Sequence, residues 1–312
     1  AVYEDLGTEM APNSTLCSYM NMLMFLIPGA YAKEGGTHLT APLQPIYSYG
    51  ASNGEVDEDG IEHGYKTSPV TGARILTGLI PCNSIPDEIL TDHPNRFRGM
   101  ICETANPAHS LADSQRMKEA FEALDLLVVM DIAMTETAEL ADYILPAATQ
   151  YEKYEATFFN FEYPDNFFHL RHPIIEAPEG MLTEPEIHAR LVEEIGFFEE
   201  GELDDLKAAA EKDLNTYAMT LFMAMKANPK IKQAITYVLY RTLGPVLPNG
   251  AASAASVFGL CQIYAQKFPK LVEAAGFEGQ GPMLGTAMFE AILNSPSGLI
   301  VSRGGAASEE EY

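Results

Sequence analysis

Apolar and polar positions alternate along this chain with two different periods, and the change of period marks its elements. Residues 14–27, STLCSYMNMLMFLI, repeat Leu16, Met20, Leu23 and Ile27 at helical spacing behind Ser14 or Thr15 as cap. The pattern predicts a buried helix whose Met-rich stripe is core, stopped by Pro28-Gly29. Residues 41–96 form an irregular excursion, and 41–80 are dense in Pro, Gly, Ser and Asn with little periodicity. Order returns with a short apolar strand, FRGMIC (97–102). Ser110 and Asp113 resemble a capping pair for a helix over 113–124, with Met117, Phe121 and Leu124 as its stripe. LLVVM (126–130) is a continuous apolar run, the type buried on both faces of a parallel sheet. TETAELAD reads as a short helix and YILP (143–146) as the next strand.

This β-α-β-α-β order predicts a parallel sheet with right-handed crossovers. Beyond residue 175, EPEIHARLVEEIG (184–196) is an amphipathic helix with Ile187, Leu191 and Ile195 on one face. From Glu202 to Phe277 the pattern is mostly helical, punctuated by Pro229, Pro245, Pro248 and Pro269, and LIVS (299–302) reads as a last short strand. The expected fold is α/β: a Rossmann-like parallel sheet flanked by helices over 1–175, then a mainly helical subdomain over 176–312.

Parallel strands bring their C-terminal ends to one edge, where ligands sit in open α/β sheets. The loop Glu103–Pro107, the turn Asp131–Thr135 and the segment after Pro146 should share that rim. Its polar residues are Glu103, Thr104, Asn106, Asp131, Thr135 and Glu136. Asn and Asp at strand ends are also ordinary turn formers, so each residue alone fits either role. The common rim is what favours binding.

Charge narrows the choice of ligand. The 312 residues carry 19 Lys+Arg against 44 Asp+Glu, a formal net charge of −25. Such a surface argues against tracking a phosphate backbone, so nucleic acid is excluded as a polymer, while a few local amides still suffice for a small anion. Cys17, Cys82, Cys102 and Cys261 lie too far apart for a zinc, iron–sulfur or disulfide framework. No apolar stretch is long enough to insert in a membrane. Neither G-x-G-x-x-G after a strand, nor a P-loop, nor a G-x-S-x-G elbow occurs. His169 and His172 in FHLRH suit one side of a helical turn, but no acid or cysteine at metal spacing joins them. Asn13-Ser14-Thr15 serves as a helix cap as well as a glycosylation acceptor. Both ends look cut, which suggests a piece excised from a longer protein.

Residues 101–160, ICETANPAHSLADSQRMKEAFEALDLLVVMDIAMTETAELADYILPAATQYEKYEATFFN, resemble the molybdopterin oxidoreductase family. The likeness rests on Asn106-Pro107 before a helix, the apolar strand closed by Asp131, and TETAELAD-x-x-LPA from Thr135 to Ala147. EATFFN (Glu155 to Asn160) stands where the family has E-G-T-x-x-N. LGTEM and PGAYAKEGG extend the resemblance to residues 1–40; the second block runs over 97–196. It implies a large subunit in which two molybdopterin guanine dinucleotides chelate molybdenum or tungsten and the metal moves an oxygen atom or a proton with two electrons. By that resemblance Asp131 accepts the guanine N1–H and N2–H₂ donors, and Asn106 and Thr104 hold ribose or phosphate. Glu155, Thr157 and Asn160 position the dinucleotide or its strand, Glu9 lies near the pterin, and Glu184 reaches a guanine. An iron–sulfur cluster is expected only in the missing N-terminal part, and an iron–sulfur electron-transfer subunit is a candidate partner. No catalytic or metal-ligating residue of the family is found in the chain, so the fragment alone is expected to be inactive. Ala156 stands for the usual Gly. The alternatives are a cofactor-less relative serving as scaffold in a redox complex, or, more remotely, a free-standing small-anion binder.

Overall fold

The computed structural model describes residues 4–31, 35–36, 41, 43, 55–56, 62–63, 66–75, 79–156 and 164–305. The main elements run α1 (Ser14–Leu26), α2 (Ile85–Leu90), β1 (Gly99–Glu103), α3 (Pro107–Ser110), α4 (Ser114–Glu122), β2 (Leu126–Asp131), β3 (Tyr143–Pro146) and β4 (Asp165–Phe168). There follow α5 (Glu184–Glu194), α6 (Asp204–Ala210), α7 (Leu214–Ala227), α8 (Pro229–Gln233), α9 (Ile235–Thr242), α10 (Ala255–Lys267), α11 (Pro269–Ala274), α12 (Pro282–Leu293) and β5 (Leu299–Arg303). They divide into two compact units, Ala1–Gln44 with Ala156–Leu170 and Val257–Tyr312, and Pro45–Glu155 with Arg171–Ser256.

The second of these units holds the parallel sheet, in the order β1-β2-β3. β1 pairs β2 from Gly99↔Leu126 to Glu103↔Met130, and β2 pairs β3 from Val128↔Tyr143 to Asp131↔Pro146. Strand follows from continuous apolar runs too short for a helix, and helix α4 follows from its Met117–Phe121 stripe. One sheet face turns Cys102, Leu127 and Val129 into a core with Met117 and Phe121 of α4, Ala108 of α3 and Ala138. Burying those side chains drives the unit together, at about 25 cal/mol for each Å² of apolar surface removed from water.

The opposite face corrects the expectation for LLVVM. It is closed only at the rim end, where Met130 packs with Ala147 and with Ile187 of α5. Farther back Ile101, Leu126 and Tyr143 are 55%, 43% and 64% exposed. Parallel sheets ordinarily bury both faces; among the described residues one face is covered over part of its length only.

Capping also departs from the expected pair. Asp113 alone caps α4, its Oδ1 accepting from the Arg116 amide at 3.2 Å, while the Ser110 hydroxyl donates to the Asn106 carbonyl. Asp113 sits at φ 54°, in the left-handed region. Asp113→Ala is therefore expected to cost about 1–2 kcal/mol, from the lost cap and the unfavourable φ. Asp113→Gly should cost markedly less, because glycine accepts that φ. Urea denaturation separates the two, and equal losses would contradict the strain assignment. The short helix expected in TETAELAD is a three-residue 3₁₀ helix, Ala138–Leu140.

In the other unit β4 and β5 pair antiparallel, with a register shift between Asn166 and Phe167. Phe258 of α10 and Phe289 of α12 meet edge to face at 5.4 Å, both fully buried. The Tyr264 hydroxyl donates to the Ala41 carbonyl and lies 2.6 Å from Ser302 Oγ. Helix α1 forms where its periodicity predicted, but the expectation of burial fails. It has no buried residue, and Leu16, Met20 and Ile27 are exposed. Spacing reports that a helix has an apolar side and is silent on what covers it. No helix among the described residues is long and apolar enough to cross a membrane.

Candidate functional site

The register brings Glu103, Asp131 and Pro146 to one edge of the sheet, so the three expected loops do leave from a common rim. Thr104, the first residue past β1, has φ 53°. A β-branched side chain is rarely found there and the conformation costs on the order of 1–2 kcal/mol. Its amide donates to the Met130 carbonyl at 3.1 Å, which holds the strained turn against β2. Glu103 Oε2 lies 2.9 Å from His188 Nε2 of α5.

Asp131 closes β2. Its Oδ1 accepts from the amides of Ile132 at 2.7 Å and Ala133 at 3.3 Å, fixing the carboxyl plane by a short turn. No hydrogen bond to Oδ2 is found among the described residues. Half-buried at the rim, that oxygen is available to an incoming donor pair. Its charge also reaches inward: burial pushes the Cys102 thiol up and Asp131 pushes it further, so Cys102 stays a neutral thiol that donates to the Ala105 carbonyl. Thr135 Oγ1 accepts from the Ala138 amide at 3.2 Å, capping the 3₁₀ turn.

Asn106 is engaged on every side. Its Oδ1 accepts from the Thr137 amide at 3.1 Å and the Thr137 hydroxyl at 2.8 Å, and its Nδ2 donates to Glu136 Oε2 at 2.6 Å. The bond from Asn106, with lesser help from His109, holds the Glu136 carboxyl below its ordinary range; Glu136 Oε1 lies 3.3 Å from His109 Nδ1. Thr137 was not singled out in the sequence, where it is one threonine of TETAELAD. Its only prior signal was its place two residues beyond Thr135.

The remaining candidates lie elsewhere. Glu184, at the start of α5, is ion-paired with Lys153 at 2.5 Å, both largely buried. Glu155 pairs with Arg171 at 3.3 Å. Thr157 and Asn160 lie outside the described residues, and so does the side chain of Glu9. His169 and His172 flank a short strand, Leu170–Arg171, in place of the helical turn their spacing suggested. His169 Nε2 meets the Pro296 carbonyl at 2.8 Å, and the His172 ring packs on Tyr154 at 4.9 Å. Among the described residues no group of three His, Cys, Asp or Glu is arranged to hold a metal.

Comparison with known proteins matches residues 51–193 to the molybdopterin oxidoreductase family. The match takes in the rim and α5; the resemblance read in residues 1–40 lies outside it. The F420-dependent formate dehydrogenase 1 subunit alpha of Methanococcus maripaludis is 33% identical over 128 residues, 41% of this chain and 18% of that protein. The trimethylamine-N-oxide reductase of Vibrio vulnificus is 42% identical over 57 residues, 18% of this chain and 7% of that protein. The matches thus cover less than a fifth of these curated relatives. Among solved structures, acetylene hydratase from Pelobacter acetylenicus is similar at TM-score 0.35 and 21% identity, over 39% of this chain and 16% of that one.

Proposed function

We propose that this chain, whose residues 51–193 belong to the molybdopterin oxidoreductase family, forms part of the wall that seats a molybdopterin guanine dinucleotide in a larger oxidoreductase. The family implies a molybdopterin carrying molybdenum or tungsten; that group supplies the two-electron redox chemistry. The chain's own part is recognition. The observation that carries the reading is Asp131, whose Oδ1 is anchored by two backbone amides while Oδ2 is left for a ligand. A guanine edge offers N1–H and N2–H₂, two donors that suit a fixed carboxylate through charge-assisted bonds. Thr104 and Thr135 flank Asp131 on the rim and would face ribose or phosphate. Glu103, paired with His188, would line the same edge.

A second reading, scaffold without cofactor, draws on different residues. Asn106, Glu155 and Glu184 all spend their side chains on internal partners. Ala156 also adds a Cβ where the family has glycine. The two readings separate on metal analysis of the full-length protein, made in a host that synthesises the cofactor. Stoichiometric molybdenum or tungsten with released guanine nucleotide supports the first, and their absence sinks it.

Within the chain, Asp131→Asn tests the assigned contact. The amide keeps an oxygen for Ile132 and Ala133, so stability should change by less than about 1 kcal/mol. Its NH₂ then confronts the guanine donors, and GMP affinity should fall at least about 30-fold, from the 2–3 kcal/mol carried by charged hydrogen bonds. An unchanged GMP titration would remove Asp131 from this role.

A further inference from the structure

We infer that Thr137 is the positioning residue of the rim: its buried hydroxyl latches the loop after β1 to the loop after β2 through Asn106 and the start of α3. The inference rests on the reading of the rim as a guanine nucleotide site and adds to it a residue that touches no ligand. Thr137 is 0% exposed, which leaves it no direct contact with anything bound at the rim.

The latch is a cap exchanged between loops. Asn106 stands at the N-cap of α3, where its side chain would ordinarily satisfy an amide of its own helix. It makes no such bond. Its Oδ1 instead crosses to the Thr137 amide and hydroxyl. The orphan amide of the helix start, Ala108 N–H, is taken by Thr137 Oγ1 at 3.1 Å. One hydroxyl therefore donates to the first loop's side chain and accepts from its backbone. Around it Glu136 accepts from Asn106 Nδ2 and approaches His109, so the two loops are joined at five polar contacts.

The latch bears on binding through what lies between its anchors. Upstream of Asn106 the first loop holds Thr104 in a left-handed conformation, which persists only where neighbours fix the chain on both sides. The second loop runs from Asp131 through Thr135 to Thr137. Losing the hydroxyl frees the far end of each loop, and the groups facing the ligand lose their fixed spacing. This assigns Asn106 to holding the site, with Asp131 left as the base-reading group.

The test compares Thr137→Val, which keeps the shape without the hydroxyl, and Thr137→Ser, which keeps the hydroxyl without the methyl. Amide hydrogen exchange is followed at Ala108, with Leu127 as an internal reference because its amide is held by Asp142 Oδ2 at 2.7 Å, apart from the latch. In Thr137→Val, exchange at Ala108 should quicken at least tenfold while Leu127 stays protected. GMP affinity should fall about tenfold. Thr137→Ser should restore both. If the valine variant does not fold, the same pair of readouts in Asn106→Ala, which removes the other half of the latch, decides the matter. Unchanged exchange at Ala108 overturns the latch. Quickened exchange with unaltered GMP affinity overturns its positioning role. Wild-type protein that fails to bind GMP sinks the guanine reading and, with it, the positioning role, and the exchange comparison still decides whether the latch exists.

Discussion

Replacing Arg241 by alanine is expected to destabilise the unit that holds the sheet by about 3 kcal/mol at pH 7, and by much less near pH 2.5. Arg241 of α9 reaches two carboxylates of α5. Its Nη1 donates to Glu186 Oε2 at 2.6 Å and its Nη2 to Glu186 Oε1, while its Nε donates to Glu193 Oε1 at 2.7 Å. Tyr240 and Arg190 also donate to Glu186. Burial works to raise the Glu186 pKa, yet the donors from Arg241, Arg190 and Tyr240 outweigh it and bring it down to about 2. A carboxyl lowered in the folded state contributes stability fully above its ordinary value near 4.5, and loses it as pH falls towards 2. Its share is roughly 2–3 kcal/mol, since the Glu186 side chain is only 18% exposed and screening is modest. Urea denaturation of wild type and Arg241→Ala at pH 7, 5, 3.5 and 2.5 should show the gap closing below pH 4.5. A gap that stays constant across this range would place the energy in packing instead of charge. Arg190→Ala is the control: its side chain is 61% exposed, and its loss should cost at most about 1 kcal/mol.

Such knots were invisible in the sequence, and the reason is physical. Local patterning made β1, β2, β3 and α4 legible, because an apolar run and a helical stripe are properties of neighbours in the chain. The rim followed from them by topology alone, since parallel strands must end on one edge. Partner choice over long separations did not follow. Glu186 meets Arg241 across 55 residues, and Asn106 meets Thr137 across 31. Coverage was not legible either: α1 is apolar yet exposed, and Ile101 and Tyr143 look like core in sequence but lie on the bare part of a sheet face. Asp131 stands out in the sequence as a lone acid closing an apolar strand. Thr137 does not, because a buried hydroxyl among polar neighbours carries no such mark.

Glu88→Gln should cost about 3 kcal/mol and release a hairpin far from it in sequence. Glu88 lies on α2 and is 0% exposed, a setting in which a charge survives only with full hydrogen bonding. Its partners come from one turn. Oε1 accepts from the Thr71 amide at 2.8 Å and the Thr71 hydroxyl at 2.6 Å, and Oε2 accepts from the Val70 amide at 3.0 Å. Burial raises the Glu88 pKa, but these bonds and one from Ser68 outweigh it, so the carboxyl stays below its ordinary range. The turn belongs to a hairpin whose Thr67 and Arg74 pair antiparallel. In Glu88→Gln one oxygen becomes an NH₂ group facing a backbone amide, which leaves two donors opposed and an amide unsatisfied in the interior. A loss of 3 kcal/mol corresponds to a population of the opened hairpin roughly 150-fold larger. Trypsin cleavage at Arg74 reads that population when opening is fast relative to cutting. Cleavage should quicken about 100-fold at pH 7 while cleavage in α6 and α7 changes far less. The wild type should approach the variant in acid, since protonating Glu88 imposes the same opposed donors. Uniform acceleration at every site would show that Glu88 supports the whole unit, and no acceleration would mean that the 66–75 turn is held without its carboxylate.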